Sequence, residues 1–297
     1  MSASTRRSTA SAAVEEASTT TAPEEPRDDD VLPDSLTDAL TQASTATASA
    51  LQGIGGRYLV EVLIPEFWDP AAGAVFTEEG DQQRFWKLTK RFAEGLAERL
   101  GSAQICAIYP DSGVAVMLEN QWKDAPFRIT SLGDRQPVSE DDEIIILAAP
   151  DPQGLASARN ITEQHEENKH IIMFNPRLAS WDVGVGLNVR RIRQNFLSKF
   201  LTTYSLRPIG EMGSVFRQWP HPWKVFIEDK SSPGRYLLAA DCESRPAGDA
   251  LDEIIDKALG KASAAQRGEG EGEGAGLFGG LTQQLGSLAG FMRSLTK

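Results

Sequence analysis

Residues 144–174 read IIILAAPDPQGLASARNITEQHEENKHIIMF, and this stretch decides the fold class. Ile144 to Ala149 is an apolar run with no side chain for water to favour, the mark of a strand covered on both faces. Asp151-Pro152 opens a polar helix reaching to about Glu167, and Ile171 to Phe174 is a second buried strand. Strand, helix and strand at these lengths form a crossover unit with parallel strands.

The same pattern extends toward the N-terminus. Leu32-Pro33-Asp34-Ser35 caps an Ala/Leu-rich helix that ends near Gly53, Gly55 and Gly56. Tyr58 to Ile64 is a strand, and 66–80 a loop. Asp81 to Leu100 is an amphipathic helix with Phe85, Leu88, Phe92 and Leu96 on one face. Gln104 to Tyr109 is a buried strand, and Pro110 to Gly113 a turn. Val114 to Leu118 and Phe127 to Thr130 read either as short edge strands or as helical turns. After about Thr202 the pattern changes to short strands at 204–207, 215–219, 224–228 and 236–240, separated by Pro/Gly turns, as in an antiparallel meander. Pro246 to Asp249 caps a closing helix to Leu259. The expected fold is therefore α/β, a Rossmann-like, partly parallel sheet flanked by helices and continued by a C-terminal antiparallel β-meander.

Composition divides the chain. Residues 1–31 are Ser/Thr/Ala-rich, with Arg6 and Arg7 but no acid before Glu15, and read equally as a disordered tail or a transit-like segment. Residues 32–262 form a single α/β domain. Residues 263–275 are a Gly/Glu linker, and 276–297 an amphipathic helix. Leu277, Phe278, Leu281, Leu285, Leu288, Phe291 and Met292 recur mostly at three- and four-residue steps in that last segment. Such a face suits docking on a partner or a membrane interface. No run of about 18 apolar residues is present for a transmembrane helix. The two cysteines, Cys106 and Cys242, lack metal-ligand spacing and read as buried reduced thiols.

The net charge is −12, which argues against nucleic-acid binding, since that needs a basic face. Asn175 to Lys224 departs from this balance. It holds eight basic residues (Arg177, Arg190, Arg191, Arg193, Lys199, Arg207, Arg217, Lys224) against Asp182 and Glu211. That local excess of six positive charges leaves the remainder of the chain at −18. Helical spacing places Arg190, Arg193, Gln194 and Leu197 on one stripe, with Ile192, Phe196 and Phe200 facing the core. Cations in a first helical turn oppose the macrodipole and call for an acid or an anion. The candidates are Asp141, Asp142, Asp182, or a ligand or partner. Trp219 and Trp223 flank Pro-His-Pro, where they either pack on their own sheet or offer an aromatic anchor. The resulting partner- or anion-binding candidates are Asn175, Arg177, Gly184, Gly186, Arg190, Arg193, Arg217, Trp219 and Trp223.

No catalytic constellation is legible. His165, His170 and His221 share no ligand motif, and a P-loop is absent. Gly184-Val-Gly186 follows a strand and precedes a helix, but Val189 stands where the dinucleotide fingerprint needs its third glycine. The sequence thus predicts no metal, no cofactor and no enzymatic activity.

Five ordered blocks carry a resemblance: Leu-Val-Glu-Val-Leu-Ile-Pro-Glu (59–66), Tyr-Pro-Asp-Ser-Gly (109–113), Phe-Asn-Pro-Arg-Leu (174–178), Gly-Val-Gly-Leu-Asn-Val-Arg-Arg-Ile-Arg-Gln-Asn-Phe-Leu (184–197) and Val-Phe-Arg-Gln-Trp-Pro-His-Pro-Trp (215–223). Over about Leu32 to Leu259 the chain resembles a plant, algal and cyanobacterial domain of unknown function, typified by the third type of Low Photosystem II Accumulation protein. The resemblance implies a chloroplast stromal protein, peripheral to the thylakoid, that helps assemble photosystem II and its chlorophyll-binding core antenna alongside the thylakoid insertase. It implies no established catalytic residues. The same domain occurs fused to an adenylate kinase-like domain, which keeps a nucleotide link open. The Gly/Glu linker and terminal helix depart from the family pattern. The expectation is a non-enzymatic assembly factor that binds a membrane-protein client such as a photosystem core subunit, with peripheral membrane association through the C-terminal helix. A nucleotide- or phosphate-binding enzyme or sensor, and a stable auxiliary subunit, are the alternatives.

Overall fold

The computed structural model describes residues 27–28, 31–53, 55–64, 68–69, 73–74, 80–101, 103–178, 187–210, 212–232 and 234–266. In chain order the elements are β1 (Arg27–Asp28), α1 (Leu36–Ala50), β2 (Gly56–Val62), β3 (Trp68–Asp69), β4 (Gly73–Ala74), α2 (Asp81–Leu100), β5 (Ile105–Tyr109), α3 (Ser112–Gln121), β6 (Arg128–Ser131) and β7 (Ile144–Ala148). Then follow α4 (Leu155–His165), β8 (His170–Phe174), α5 (Leu187–Asn195), a 3-10 turn (Leu197–Lys199), β9 (Leu201–Pro208), β10 (Gly213–Gln218), β11 (Trp223–Glu228), β12 (Tyr236–Cys242) and α6 (Asp249–Gln266). Helix α6 runs past the expected domain boundary at 262.

Ten strands form one sheet in the order β1-β12-β11-β10-β9-β2-β8-β7-β5-β6. From β6 to β9 every neighbouring pair is parallel, and from β9 to β1 every pair is antiparallel. The expected α/β sheet with a C-terminal meander is therefore present. Strand β9 is the seam, with parallel β2 on one side and antiparallel β10 on the other.

Crossovers of one handedness require that connections travelling in opposite directions along a sheet lie on opposite faces. The chain obeys this. From β2 to β5 and on to β6 it moves toward the β6 edge, and α2 and α3 pack with α1 on one face. From β7 to β8 and on to β9 it moves the other way, and α4, α5 and the 3-10 turn pack on the second face. Helix α6 covers β10 and β11 on that second face. Strands β5 and β7 lie side by side yet send their chains in opposite directions, so a topological switch point lies between their carboxyl ends.

Local chemistry explains the elements. All five residues of β5 and of β7 are buried, because helices cover both faces. Phe85, Leu88, Phe92 and Leu96 form the buried stripe of α2, and Phe92 stacks on Phe174 of β8 at 4.9 Å. The segment after Tyr109 is helical because the Asp111 side chain accepts a hydrogen bond from the Val114 N–H at 3.1 Å. Residues 128–131 form the edge strand β6, so the two ambiguous segments resolve into one helix and one strand. Gly213 permits the approach of β10 to β11, since a Cβ there would meet the Phe226 carbonyl oxygen at 1.9 Å.

Arg57 at the start of β2 pairs with Glu166 just beyond α4 and holds that carboxyl below the usual range. The folded-state value is below the unfolded one, so this contribution is present above the unfolded value of about 4.3 and is lost as pH falls through the folded value. Glu166→Gln is expected to destabilise the fold at neutral pH in urea titration. The gap to wild type should close as pH falls from about 5 toward about 3; a gap unchanged across that range contradicts the assignment.

Candidate functional site

The basic island divides into two places on the sheet. One is the row of strand ends where Asn175 and Arg177 lie. The other is the second face of the meander, where Arg217 and Trp223 lie.

At the strand ends, Asn175 follows β8 with φ +46°, a left-handed conformation that asparagine tolerates better than most residues. It is buried and its amide acts as a miniature strand. Oδ1 accepts from the Val62 N–H at 2.6 Å, and Nδ2 donates to the Val62 carbonyl at 3.1 Å. Its own N–H donates to the Val60 carbonyl at 2.8 Å. Asn175 thus clamps the ends of β2 and β8. Arg177 donates its backbone N–H to the Pro150 carbonyl at 2.8 Å, and its guanidinium lies 3.9 Å from Asp151 beside the switch point. Burial lowers the Arg177 pKa, and Asp151 opposes that shift. Asp151 also accepts from the Gly154 N–H at 2.8 Å, ahead of α4. Asp134 accepts from the Thr130 hydroxyl and the Ser131 N–H, and Asp111 caps α3.

On the second face, one row crosses the seam. Glu61 of β2 is opposite Ser205 of β9, and Ser205 is opposite Arg217 of β10. The pairing of Phe216 with Lys224 brings Arg217 alongside Trp223 of β11. Glu61 is 2% exposed and Arg207 3%. Glu61 Oε2 accepts from the Ser205 hydroxyl at 3.0 Å and from Arg245 Nη1 at 2.7 Å. Arg245 arrives from the segment between β12 and α6. The guanidinium carbons of Arg217 and Arg245 lie 5.3 Å and 5.1 Å from the centre of the Trp223 ring, within cation–π range. Burial, reinforced by the neighbouring Arg245 charge, lowers the Arg207 pKa to about 10 against the opposing pull of Glu61. It remains charged at neutral pH.

Several expectations change. Trp223 is buried at 3% exposure under α6, so it is a core shelf for two arginines and not a presented anchor. Trp219 is partly buried against the first-face core, and its backbone N–H donates to the Thr203 carbonyl at 2.8 Å. Asp142 does not answer the basic helix but pairs with Arg128 of β6. Leu197 leaves the arginine stripe because the chain tightens into a 3-10 turn, which buries it with Phe196 and Phe200. Arg193 is half-buried on α5, and Arg190 lies in α5. Gly184, Gly186 and the terminal-helix residues Leu277, Phe278, Leu281, Leu285, Leu288, Phe291 and Met292 lie outside the described residues. Among the described residues no group of three His, Cys, Asp or Glu could hold a metal ion, and no helix is long and apolar enough to cross a membrane.

Sequence reasoning missed Glu61, Ser205, Arg207 and Arg245 as a unit. One signal was available: Glu61 is a lone acid inside Tyr-Leu-Val-Glu-Val-Leu-Ile, where a buried carboxylate demands a cation.

A family model described as Domain of unknown function (DUF1995) matches residues 33–253. The chain belongs to this family. The match spans every strand from β2 to β12, and so includes both the Asn175 clamp and the Glu61–Arg245 row. No curated protein and no solved structure shows a significant match to the chain.

Two stability outcomes follow from this geometry. Asn175→Ala leaves the buried Val62 N–H and C=O unanswered, at about 1–3 kcal/mol each, and should lower the unfolding free energy measured in urea by about 2–4 kcal/mol. Arg245→Met strands the buried Glu61 carboxylate and should cost about 3–5 kcal/mol, of which a second change, Glu61→Gln, recovers the larger part. Additive losses in the double variant would show that the two residues do not act as a pair.

Proposed function

We propose that this protein is a non-enzymatic assembly factor for photosynthetic complexes, aiding photosystem II biogenesis at the thylakoid by binding a membrane-protein client. The observation that carries the reading is the engagement of the polar side chains at the carboxyl ends of the parallel strands. These ends are where open α/β sheets place their chemistry. Here Asp111 caps a helix, Asp134 closes a turn, Asp151 holds a helix approach and Arg177, and Asn175 clamps two strands. General acid–base work needs a titratable group within reach of a substrate proton. Side chains engaged in caps and clamps support a framework for binding over one for turnover.

The identity of the client class rests on the resemblance to the third type of Low Photosystem II Accumulation protein. The ordered blocks that carry it fall within the matched residues 33–253. In this reading the protein works in the chloroplast stroma, peripheral to the thylakoid. A photosystem core subunit is its client, and the insertase is a neighbour during synthesis. Residues 276–297 supply the membrane or client attachment.

Affinity purification from thylakoids during a time course of photosystem assembly tests this reading. Photosystem core subunits should co-purify early and be lost from mature complexes. Constant stoichiometry with mature complexes would make the protein a stable subunit instead. Deletion of Gly276–Lys297 should release most of the protein from the thylakoid fraction while leaving its far-UV circular dichroism unchanged apart from the deleted segment. Undiminished thylakoid association would remove the terminal segment from the mechanism.

A further inference from the structure

The amino ends of β2, β7 and β8 meet at one corner, the turn that leads from α4 into β8. The Gly56 N–H donates to the Lys169 carbonyl at 3.3 Å, and the His170 N–H to the Glu143 carbonyl at 3.0 Å. The Lys169 ammonium donates to the carbonyls of Glu140 and Asp142. Gly55 approaches the turn so closely that a Cβ there would meet the Glu166 carbonyl oxygen at 2.3 Å. His170 lies within this lashing, its ring centre 5.6 Å from that of Tyr58. Its Nδ1 is buried and has no hydrogen-bond partner among the described residues. A neutral imidazole carries a proton on one nitrogen and can leave Nδ1 bare, whereas the imidazolium carries a proton on both. Protonation therefore puts a charged N–H without an acceptor inside the corner, where burial penalises it.

We propose that His170 is an acid-sensitive latch, which holds the amino ends of β2, β7 and β8 together while it is neutral and loosens them when it takes up a proton. Burial lowers its pKa, and Glu143, in the loop before β7, opposes that shift. From β2 it faces Tyr58, whose pKa burial raises, and the neighbouring Arg57 is paired with Glu166. Lys169, next to it in the chain, is engaged with the two carbonyls. His165, in the last turn of α4, is the second imidazole of the corner. Burial and then the Lys169 charge lower its pKa, against the pull of Asp142. The folded value of His170 is below the unfolded one of about 6.5, so the corner is at full strength above that pH. It weakens as pH falls below about 6.5, and the loss stops at the folded value. The Arg57–Glu166 pair fails only in more acid solution. The latch lies at the opposite end of β8 from Asn175, and it is independent of the assembly reading.

Two NMR measurements on the full-length protein test the latch. The first follows the His170 ring signals through a pH titration, and their midpoint should fall below about 6.5. A midpoint at or above that value overturns the proposal. The second follows hydrogen exchange of the Gly56 and His170 amides, with each rate divided by the intrinsic rate at the same pH. Protection at both should fall by up to about tenfold between pH 7.5 and 5.5, since one pH unit below the free imidazole value is worth a factor of ten. His170→Phe keeps an aromatic ring against Tyr58 and cannot take up a proton, so most of this acid-dependent loss should vanish in it. His165→Gln should leave the greater part of the loss in place. A loss as large in His170→Phe as in wild type overturns the latch, and a loss that vanishes only in His165→Gln makes His165 the sensor instead. Should His170→Phe not fold, the titration of the wild-type ring still decides.

Discussion

A carboxylate moved from water into a sheet costs several kcal/mol unless a cation and hydrogen bonds answer it. Strand β2 carries such a carboxylate, Glu61, near the centre of a ten-stranded sheet. Among the described residues it is answered from two distant parts of the chain. Ser205 donates from β9, the next strand across the seam, and Arg245 donates from the segment beyond β12. The charge therefore ties β2 to the segment that follows the meander. The parallel half and the antiparallel half must both be in place before Glu61 is satisfied. The remaining apolar packing does not discriminate so sharply, since dispersion and burial are non-directional. A hydrogen-bonded ion pair fixes register.

The seam strand β9 is where these requirements meet. Its first-face residues, Tyr204 and Leu206, join the core beneath α1. The Thr203 hydroxyl reaches Thr47 of α1 at 2.8 Å, beside the register irregularity where β9 passes β2. On the opposite face Ser205 and Arg207 belong to the polar row. One strand thus serves an apolar layer and a charged layer at once, by the alternation of side chains along its length. This explains why the basic residues of the island do not form one surface. Arg177 and Arg207 are close in sequence, yet one lies at the strand ends by the switch point and the other inside the seam.

The two regions hold their polar groups in different ways. At the strand ends, polar groups are consumed by turns, caps and the Asn175 clamp. Within the seam, Ser205 and Arg245 donate to Glu61, and the guanidiniums of Arg217 and Arg245 lie against the Trp223 ring.

The fold class was legible from the chain alone because its signals are local and repeated. Continuous apolar runs at 105–109, 144–148 and 171–174 demanded strands covered on both faces, and the periodic stripe of Phe85, Leu88, Phe92 and Leu96 demanded a helix. The switch from long crossovers to Pro/Gly-punctuated short strands after Thr202 marked the meander. The site was legible only in fragments. Arg217 and Trp223 drew notice by composition, but Trp223 reads identically whether it is presented to solvent or packed under α6. Glu61, Ser205 and Arg245 are separated by 144 and 184 positions along the chain, and no local pattern encodes a contact between residues so far apart. Sequence alone determined which segments must be strands and helices, because burial and periodicity act over a few residues. Tertiary structure alone decided which charges meet, because strand order across β2, β9, β10 and β11 sets those distances.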